Sequence, residues 1–132
     1  MSLKMINPTS LGSPRGYANG VLSENSGRLL FVAGQVAWNE KQEIVSSDLA
    51  EQFDRALANV LTVVSEAGGN AQHIARLTIY VIDRHEYEAR MRDIGERYRA
   101  RMGKHYPAMS LIEVKGLLET GAQIEIEATA VL

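Results

Sequence analysis

Two carboxylates on one predicted strand and a glycine–glutamine pair on another are the residues of this sequence best suited to chemistry. Glu125 and Glu127 occupy alternate positions near the carboxyl end, and Gly34-Gln35 ends an apolar run. Carboxyl groups serve acid–base chemistry in general, and on this strand they either face solvent or line a cleft between subunits. A glycine lets a ligand approach the backbone, and a glutamine amide can orient a carbonyl group or water. A bulge or turn glycine, with the Gln35 side chain bonded to backbone, is the more ordinary explanation of this pair.

Other catalytic and metal-binding patterns are missing from the sequence. His73, His85 and His105 are isolated, without the spacing of a metal site, so we expect surface or helix-end histidines. No Gly-x-Ser-x-Gly elbow or phosphate-binding loop occurs. The absence of cysteine excludes disulfides, a thiolate nucleophile and a cysteine zinc site. Trp38, the single tryptophan, is more typical of a packing anchor than of a ligand platform.

Length and charge limit the class of protein. The 132 residues fit one domain, spanning 1–132, and 45% of them are apolar. A net charge of −2 without a basic face argues against a nucleic-acid partner. The apolar runs are far shorter than the roughly 20 residues that a membrane span needs, and no signal peptide is visible, so we expect a cytoplasmic protein.

The elements that position these residues follow from apolar periodicity. An apolar stripe at helical spacing predicts a helix from Asp48, which resembles a capping-box residue with Glu51, to Gly68-Gly69. A second stripe, from Tyr87 to Met102, predicts another helix that ends at Gly103. Alternating or continuous apolar residues predict strands over Tyr17–Leu22, Leu29–Gln35, Leu77–Val81, Ala108–Val114 and Gln123–Val131. The order β, β, α, β, α, β, β indicates an α+β fold with two helices packed on one face of a sheet.

The strand over Ala108–Val114 predicts self-association. Met109, Leu111 and Glu113 lie on one side of it, and Ser110, Ile112 and Val114 on the other, so both sides are largely apolar. A sheet with helices on one face and apolar residues on the other must bury the second face. A closed homo-oligomer is the simplest solution, although these residues do not set the number of subunits.

Several short segments stand in order along nearly the whole chain and together form a specific pattern. They are Tyr17 near the amino terminus, the strand ending in Ala33-Gly34-Gln35, Gln52 and Asn59 before Gly68-Gly69, the strand from Leu77 to Asp83, Pro107-Ala108, Glu113-Val114, and Ile124-Glu125-Ile126-Glu127-Ala128. This combination resembles the RidA/YjgF family, also called L-PSP endoribonuclease-like, which has a tyrosine near its amino terminus and a strand ending in Ser-Gly-Gln.

The resemblance implies a chorismate-mutase-like α+β fold with a mixed sheet, and a homotrimer with three clefts between subunits. It implies hydrolytic deamination of reactive enamine/imine metabolites such as 2-aminoacrylate, with no metal and no organic cofactor. Glu125 matches the glutamate that positions or activates water. Tyr17, Ala33, Gly34, Gln35 and Met109 match residues that line the substrate cleft.

The sequence departs from the family pattern at Met109, where the family has an arginine that clamps the substrate carboxylate. Methionine neither carries a charge nor donates a hydrogen bond. Three explanations remain open: another arginine or lysine enters the cleft, the substrate has no carboxylate, or the deaminase activity is lost. The alternatives to a deaminase are a non-catalytic trimer that binds a small metabolite and, less favoured by the charge, a ribonuclease or translation inhibitor.

Overall fold

The computed structural model describes residues 3–24 and 27–132, and its main sheet has four strands. The six strands in chain order are β1 (Leu3–Ile6), β2 (Gly20–Ser23), β3 (Leu29–Gln35), β4 (Ile74–Val81), β5 (Ala108–Glu113) and β6 (Ile124–Val131). The main sheet runs in the order β3-β6-β4-β5, and β1 and β2 form a separate antiparallel pair. Since β4 and β5 are parallel while the other neighbours in the main sheet are antiparallel, the sheet is mixed, as predicted.

Three helices cover one face of the main sheet: α1 (Leu49–Glu66), α2 (Arg84–Ala89) and α3 (Met91–Met102). The buried stripe of α1 packs on β6 and β3, and α3 packs on α1. On β6 the alternation is complete, because Ile124, Ile126, Ala128 and Ala130 are buried and the residues between them are half-buried. The α+β class with helices on one face is therefore confirmed.

Both ends of α1 are stabilised largely as the sequence predicts. The Asp48 carboxylate accepts a hydrogen bond from the Glu51 backbone N–H at 3.0 Å, which is half of a capping box. The other half is replaced, because the Glu51 carboxylate accepts from the Ser46 hydroxyl and the Ser46 oxygen accepts from the Asp48 N–H. At the carboxyl end Gly68 has a φ of +92°, the left-handed conformation that glycine adopts without strain.

The predicted second helix is in fact two helices. Arg90, with φ −107° and ψ 11°, lies between α2 and α3, so the predicted element order lacks one helix. Its guanidinium bonds Asp48 at the start of α1 and Asp93 in α3. A continuous apolar stripe does not reveal this break, because one non-helical residue between two helices leaves the spacing nearly unchanged.

The strand prediction was wrong at the amino-terminal end. Tyr17–Leu22 was predicted as a strand, but only Gly20–Ser23 forms one, and Ala18 makes an isolated parallel bridge to Ala108. β1 had no apolar pattern to signal it, and its residues lie largely exposed beside β2. The predicted turn after β2 includes Asn25 and Ser26, which lie outside the described residues.

Candidate active site

The structure separates the roles of the two carboxylates on β6. Glu125 and Glu127 both point away from the helices, because they alternate with the buried Ile124 and Ile126. The Tyr80 hydroxyl donates to Glu127 at 2.6 Å, and this contact raises the pKa of Tyr80. Glu125 has no hydrogen-bond or ion-pair partner among the described residues. Glu125 is therefore the carboxylate left free to bind a ligand or water.

A β-bulge in β3 places a glycine against that free carboxylate. Val32 pairs with Ala128 and Gln35 with Ile126, so Ala33 and Gly34 together oppose Glu127 alone. A Cβ on Gly34 would lie 2.7 Å from Glu125 Cδ and 2.9 Å from its Cγ. The Gln35 amide donates to the Ala33 carbonyl at 3.2 Å. The bulge interpretation of Gly34 is confirmed, and it also brings the backbone next to Glu125.

Two amides on α1 hold the segments that carry these groups. Gln52 is fully buried, donates to the carbonyls of Ser46 and Gly121, and accepts from the Gln123 N–H at 2.9 Å. Asn59 donates to the carbonyls of Val36 and Trp38, both at 3.0 Å. Gln123 immediately precedes β6, and Val36 immediately follows β3. Gln52 and Asn59 therefore fix the ends of the strands on which Glu125 and Gly34 lie.

Tyr17 and Met109 lie in a different part of the fold from Glu125, beside β5. The Ala18 N–H donates to the Pro107 carbonyl at 2.9 Å, so Tyr17 lies beside the start of β5. Met109 is in register with the buried Leu77, so its side chain points toward the helices. Glu125 is on the opposite face, with β4 between β5 and β6. One chain therefore brings together Ala33, Gly34, Gln35 and Glu125, whereas Tyr17 and Met109 both lie near the start of β5 but line different cavities.

Met109 opens onto a cavity of about 410 Å³ between β5 and the helices. Apolar side chains including Phe53, Ile79 and Ile94 line it, together with three tyrosines and Arg99. Burial raises the pKa of Tyr87 to about 12 and also raises the pKa of Tyr98, so both phenols are neutral at ordinary pH. The wall is thus uncharged apart from Arg99.

Comparison with known proteins decides the family. The sequence profile described as Endoribonuclease L-PSP matches residues 9–132. The chain is 32% identical to the 2-iminobutanoate/2-iminopropanoate deaminase of Escherichia coli K12 over 127 residues, 94% of this chain and 91% of the relative. It is 33% identical to a RutC family protein of Pyrococcus abyssi over 105 residues, 79% of each chain.

Solved structures agree with the sequence comparisons. The conserved Rid family protein YyfB of Yersinia pestis superposes with a TM-score of 0.88 at 36% identity, covering 100% of both chains. The YjgF gene product of E. coli superposes with a TM-score of 0.69 at 30% identity, covering 95% of this chain and 92% of that one. This chain belongs to the RidA/YjgF family.

Within this RidA/YjgF protein one histidine is buried at the end of a helix. His105 follows α3 closely, which agrees with the prediction of surface or helix-end histidines, and it is only 7% exposed. Its Nε2 lies 2.7 Å from the Ile74 carbonyl oxygen, which requires a proton on that nitrogen. The Tyr98 hydroxyl donates to the His105 carbonyl at 2.6 Å. His105 thus joins α3 to β4 inside the domain.

The other predictions about charged and aromatic groups have simple outcomes. His73 Nδ1 accepts from the Asn70 N–H, so His73 caps a short turn before β4. Trp38 is half-buried and forms an isolated antiparallel β-bridge with Ile44.

No group of three or more His, Cys, Asp or Glu side chains converges in residues 3–24 and 27–132. No helix in that part of the chain is long and apolar enough to cross a membrane.

Sequence reasoning did not assign a role to three residues around the site: Gln52, Asn59 and Arg99. Gln52 and Asn59 match family positions, and their spacing of seven on one helix already predicts that both amides face the same side. Arg99 had no sequence signal, because it is one of several arginines interleaved with acidic residues between Arg84 and Arg101. Its position beside Met109 depends on how α3 packs over β5.

Proposed function

We propose that the protein is a homotrimer that hydrolyses reactive enamine or imine metabolites in clefts between its subunits. The observation that carries the proposal is Glu125, whose carboxylate lies against Gly34 at the β3 bulge and has no partner among the described residues. A carboxylate that is half-buried but unpaired is suited to hold a water molecule and to take its proton.

The proposed reaction is a hydrolytic deamination. An enamine such as 2-aminoacrylate first takes a proton from solvent at its terminal carbon and becomes the protonated imine. Water then attacks the imine carbon while Glu125 accepts a proton from the water, which gives a carbinolamine. The carbinolamine nitrogen takes that proton from Glu125 and leaves as ammonia, while the hydroxyl group loses its proton to solvent and becomes the keto oxygen. The products are a 2-keto acid and ammonia, and Glu125 returns to its carboxylate form.

A cleft containing all six predicted site residues needs two chains. Met109 and Tyr17 lie at β5, whereas Glu125 and the bulge residues lie across the sheet from them and on its other face. On the same face as Glu125, Phe31 is 73% exposed and Leu29 is 60% exposed. Large apolar side chains exposed on a sheet favour burial against another copy. This supports an assembly in which Glu125 of one subunit faces Met109 of the next.

The comparisons support the reaction class. The E. coli relative is named for deamination of 2-iminobutanoate and 2-iminopropanoate, and it matches 94% of this chain. Met109 and Ala33 favour the second candidate function, a trimer that binds a small metabolite without turnover, because neither side chain can donate a hydrogen bond to a substrate. A net charge of −2 disfavours RNA as a substrate.

The test compares the two carboxylates of β6 in one assay. Imines are generated from amino acids by an amino-acid oxidase, and the release of keto acid and ammonia is measured above the spontaneous rate. Glu125→Gln should lower kcat by roughly a hundredfold or more, the usual contribution of general acid–base catalysis. The matched control Glu127→Gln should retain most of the rate, because Glu127 is already bonded to Tyr80.

The outcomes separate the candidate functions. Full activity in Glu125→Gln would contradict the role of Glu125. No turnover by the wild-type protein, with a keto acid nevertheless bound, would favour the binding module. Light scattering on the same samples should give three times the chain mass, and a monomer would exclude the shared cleft.

A further inference from the structure

Among the described residues, Arg99 is the single charged one that lines the cavity beside Met109. The other arginines of α3 are engaged: Arg92 pairs with Glu96, Arg97 with Asp93, and Arg101 with Asp54. The Arg99 guanidinium makes no hydrogen bond or ion pair with any residue of the described chain. A guanidinium carries five N–H donors in a fork that fits a carboxylate. Arg99 is therefore free to bind an anionic group at the edge of the cavity.

A glycine inside α3 accommodates this guanidinium. Gly95 lies one turn before Arg99 and lines the same cavity. A Cβ on Gly95 would lie 3.3 Å from Arg99 Nη1, closer than side chains normally pack. Glycine is the least favourable helix-interior residue after proline. The missing side chain at Gly95 leaves room for the guanidinium to lie along the helix at the cavity.

The rest of the cavity specifies an apolar ligand body. Its wall is formed by Phe53, Ile79, Ile94 and Met109, with the Tyr98 and Tyr106 rings stacked at 5.3 Å. The Tyr98 hydroxyl is already bonded to the His105 carbonyl. A volume of about 410 Å³ falls in the range of roughly 300–1,000 Å³ typical of sites for drug-sized molecules. A three-carbon acid would leave most of this cavity unfilled.

We propose that Arg99 binds the carboxylate of a ligand whose bulky apolar or aromatic side chain fills the cavity beside Met109. If the proposed function holds, the substrates are 2-imino acids with large apolar side chains, and the products are the corresponding 2-keto acids. Met109 on β5 adds apolar surface to the cavity, and Arg99 on α3 supplies the positive charge.

Calorimetry on the intact protein tests the binding separately from turnover. The probes are phenylpyruvate, pyruvate, which lacks the ring, and phenylacetone, which lacks the carboxylate. Phenylpyruvate should bind at least tenfold more tightly than either of the others. Arg99→Gln should weaken phenylpyruvate tenfold or more, the loss expected for a charge-assisted contact, and should leave phenylacetone unchanged. Gly95→Ala should weaken phenylpyruvate binding by a smaller factor than Arg99→Gln does, because it displaces the guanidinium without removing it.

Arg92→Gln is the matched control, because the Arg92 side chain is 96% exposed on the same helix. It should bind all three probes as the wild-type protein does.

Equal affinity of the wild-type protein for pyruvate and phenylpyruvate would overturn the inference, as would unchanged phenylpyruvate binding in Arg99→Gln. If phenylpyruvate binds through Arg99 but no imine is hydrolysed, the proposed function fails while this site stands. If imines are hydrolysed and Arg99→Gln changes neither binding nor KM, the site fails while the proposed function stands.

Discussion

The carboxylate of Glu125 occupies the space in which a side chain on Gly34 would begin. A Cβ at Gly34 would lie 2.7 Å from Glu125 Cδ, well inside van der Waals contact. The two residues come from β6 and β3, and the bulge at Ala33 and Gly34 brings them together. The glycine therefore maintains the position of the one carboxylate on β6 that is free to act.

Gly34→Ala should displace the Glu125 carboxylate and lower kcat for imine hydrolysis. A displacement of about 1 Å at a reacting group commonly costs on the order of a hundredfold in rate. The end of the Glu125 side chain can move aside, so the fold should persist with a far smaller change in thermal stability than in rate. Steady-state kinetics and circular dichroism melting measure the two effects.

Gly116→Ala is the control for that substitution, because nothing lies within 4 Å of a Cβ at Gly116. It should match the wild-type protein in both measurements. An active Gly34→Ala protein would show that the position of the Glu125 carboxylate does not limit the reaction.

Gln52→Met should destabilise the protein and disturb the site together. The substitution keeps the side-chain volume but leaves the Ser46 and Gly121 carbonyls and the Gln123 N–H without their partner. An unsatisfied buried group costs roughly 1–3 kcal/mol, and because these three partners belong to half-buried or exposed residues, we expect a total loss of about 2 kcal/mol in the free energy of unfolding. Urea denaturation measures this loss. The exposed Gln72, replaced by Met, should unfold like the wild-type protein, and equal stability of the two variants would refute the role of Gln52.

Acid should weaken the contact between α1 and the segment containing α2 and α3. Arg90, Arg97 and Arg101 hold three aspartates, and hydrogen bonds from these guanidinium groups lower the pKa values of Asp48, Asp54 and Asp93 below 3.8. A lowered folded-state pKa gives stability that is present above the unfolded pKa and is lost as pH falls through the folded pKa. The free energy of unfolding should therefore be constant near neutral pH and fall below about pH 4.

Asp54→Asn isolates one part of this acid response. Because exposed ion pairs contribute about 1 kcal/mol or less, the variant should lose no more than that at pH 7. Its stability should then fall less steeply than that of the wild-type protein between pH 4 and pH 2, since one depressed carboxyl group is missing. Denaturation curves across this range give both slopes, and parallel slopes would show that Asp54 does not contribute.

Local pattern was enough to predict much of the fold. The stripe of α1, its Asp48 cap and its Gly68 end involve residues a few positions apart, so helix geometry alone relates them. Alternation on β6 likewise places Glu125 and Glu127 on one face. The family resemblance depended on short segments in order, and the comparisons confirm it.

Tertiary structure decided what the two glutamates and the arginines do. The Tyr80 hydroxyl bonds the Glu127 carboxylate and leaves that of Glu125 free because β4 and β6 pair with Tyr80 opposite Glu125. Met109 points toward the helices because β5 pairs in parallel with β4. Arg97 and Arg101 reach Asp54 because α3 packs on α1, and the side chain of Arg99 stays unpaired among the described residues. The sequence by itself determines elements, faces and ion pairs within one helix through local geometry, whereas strand register and ion pairs between helices depend on contacts between distant parts of the chain.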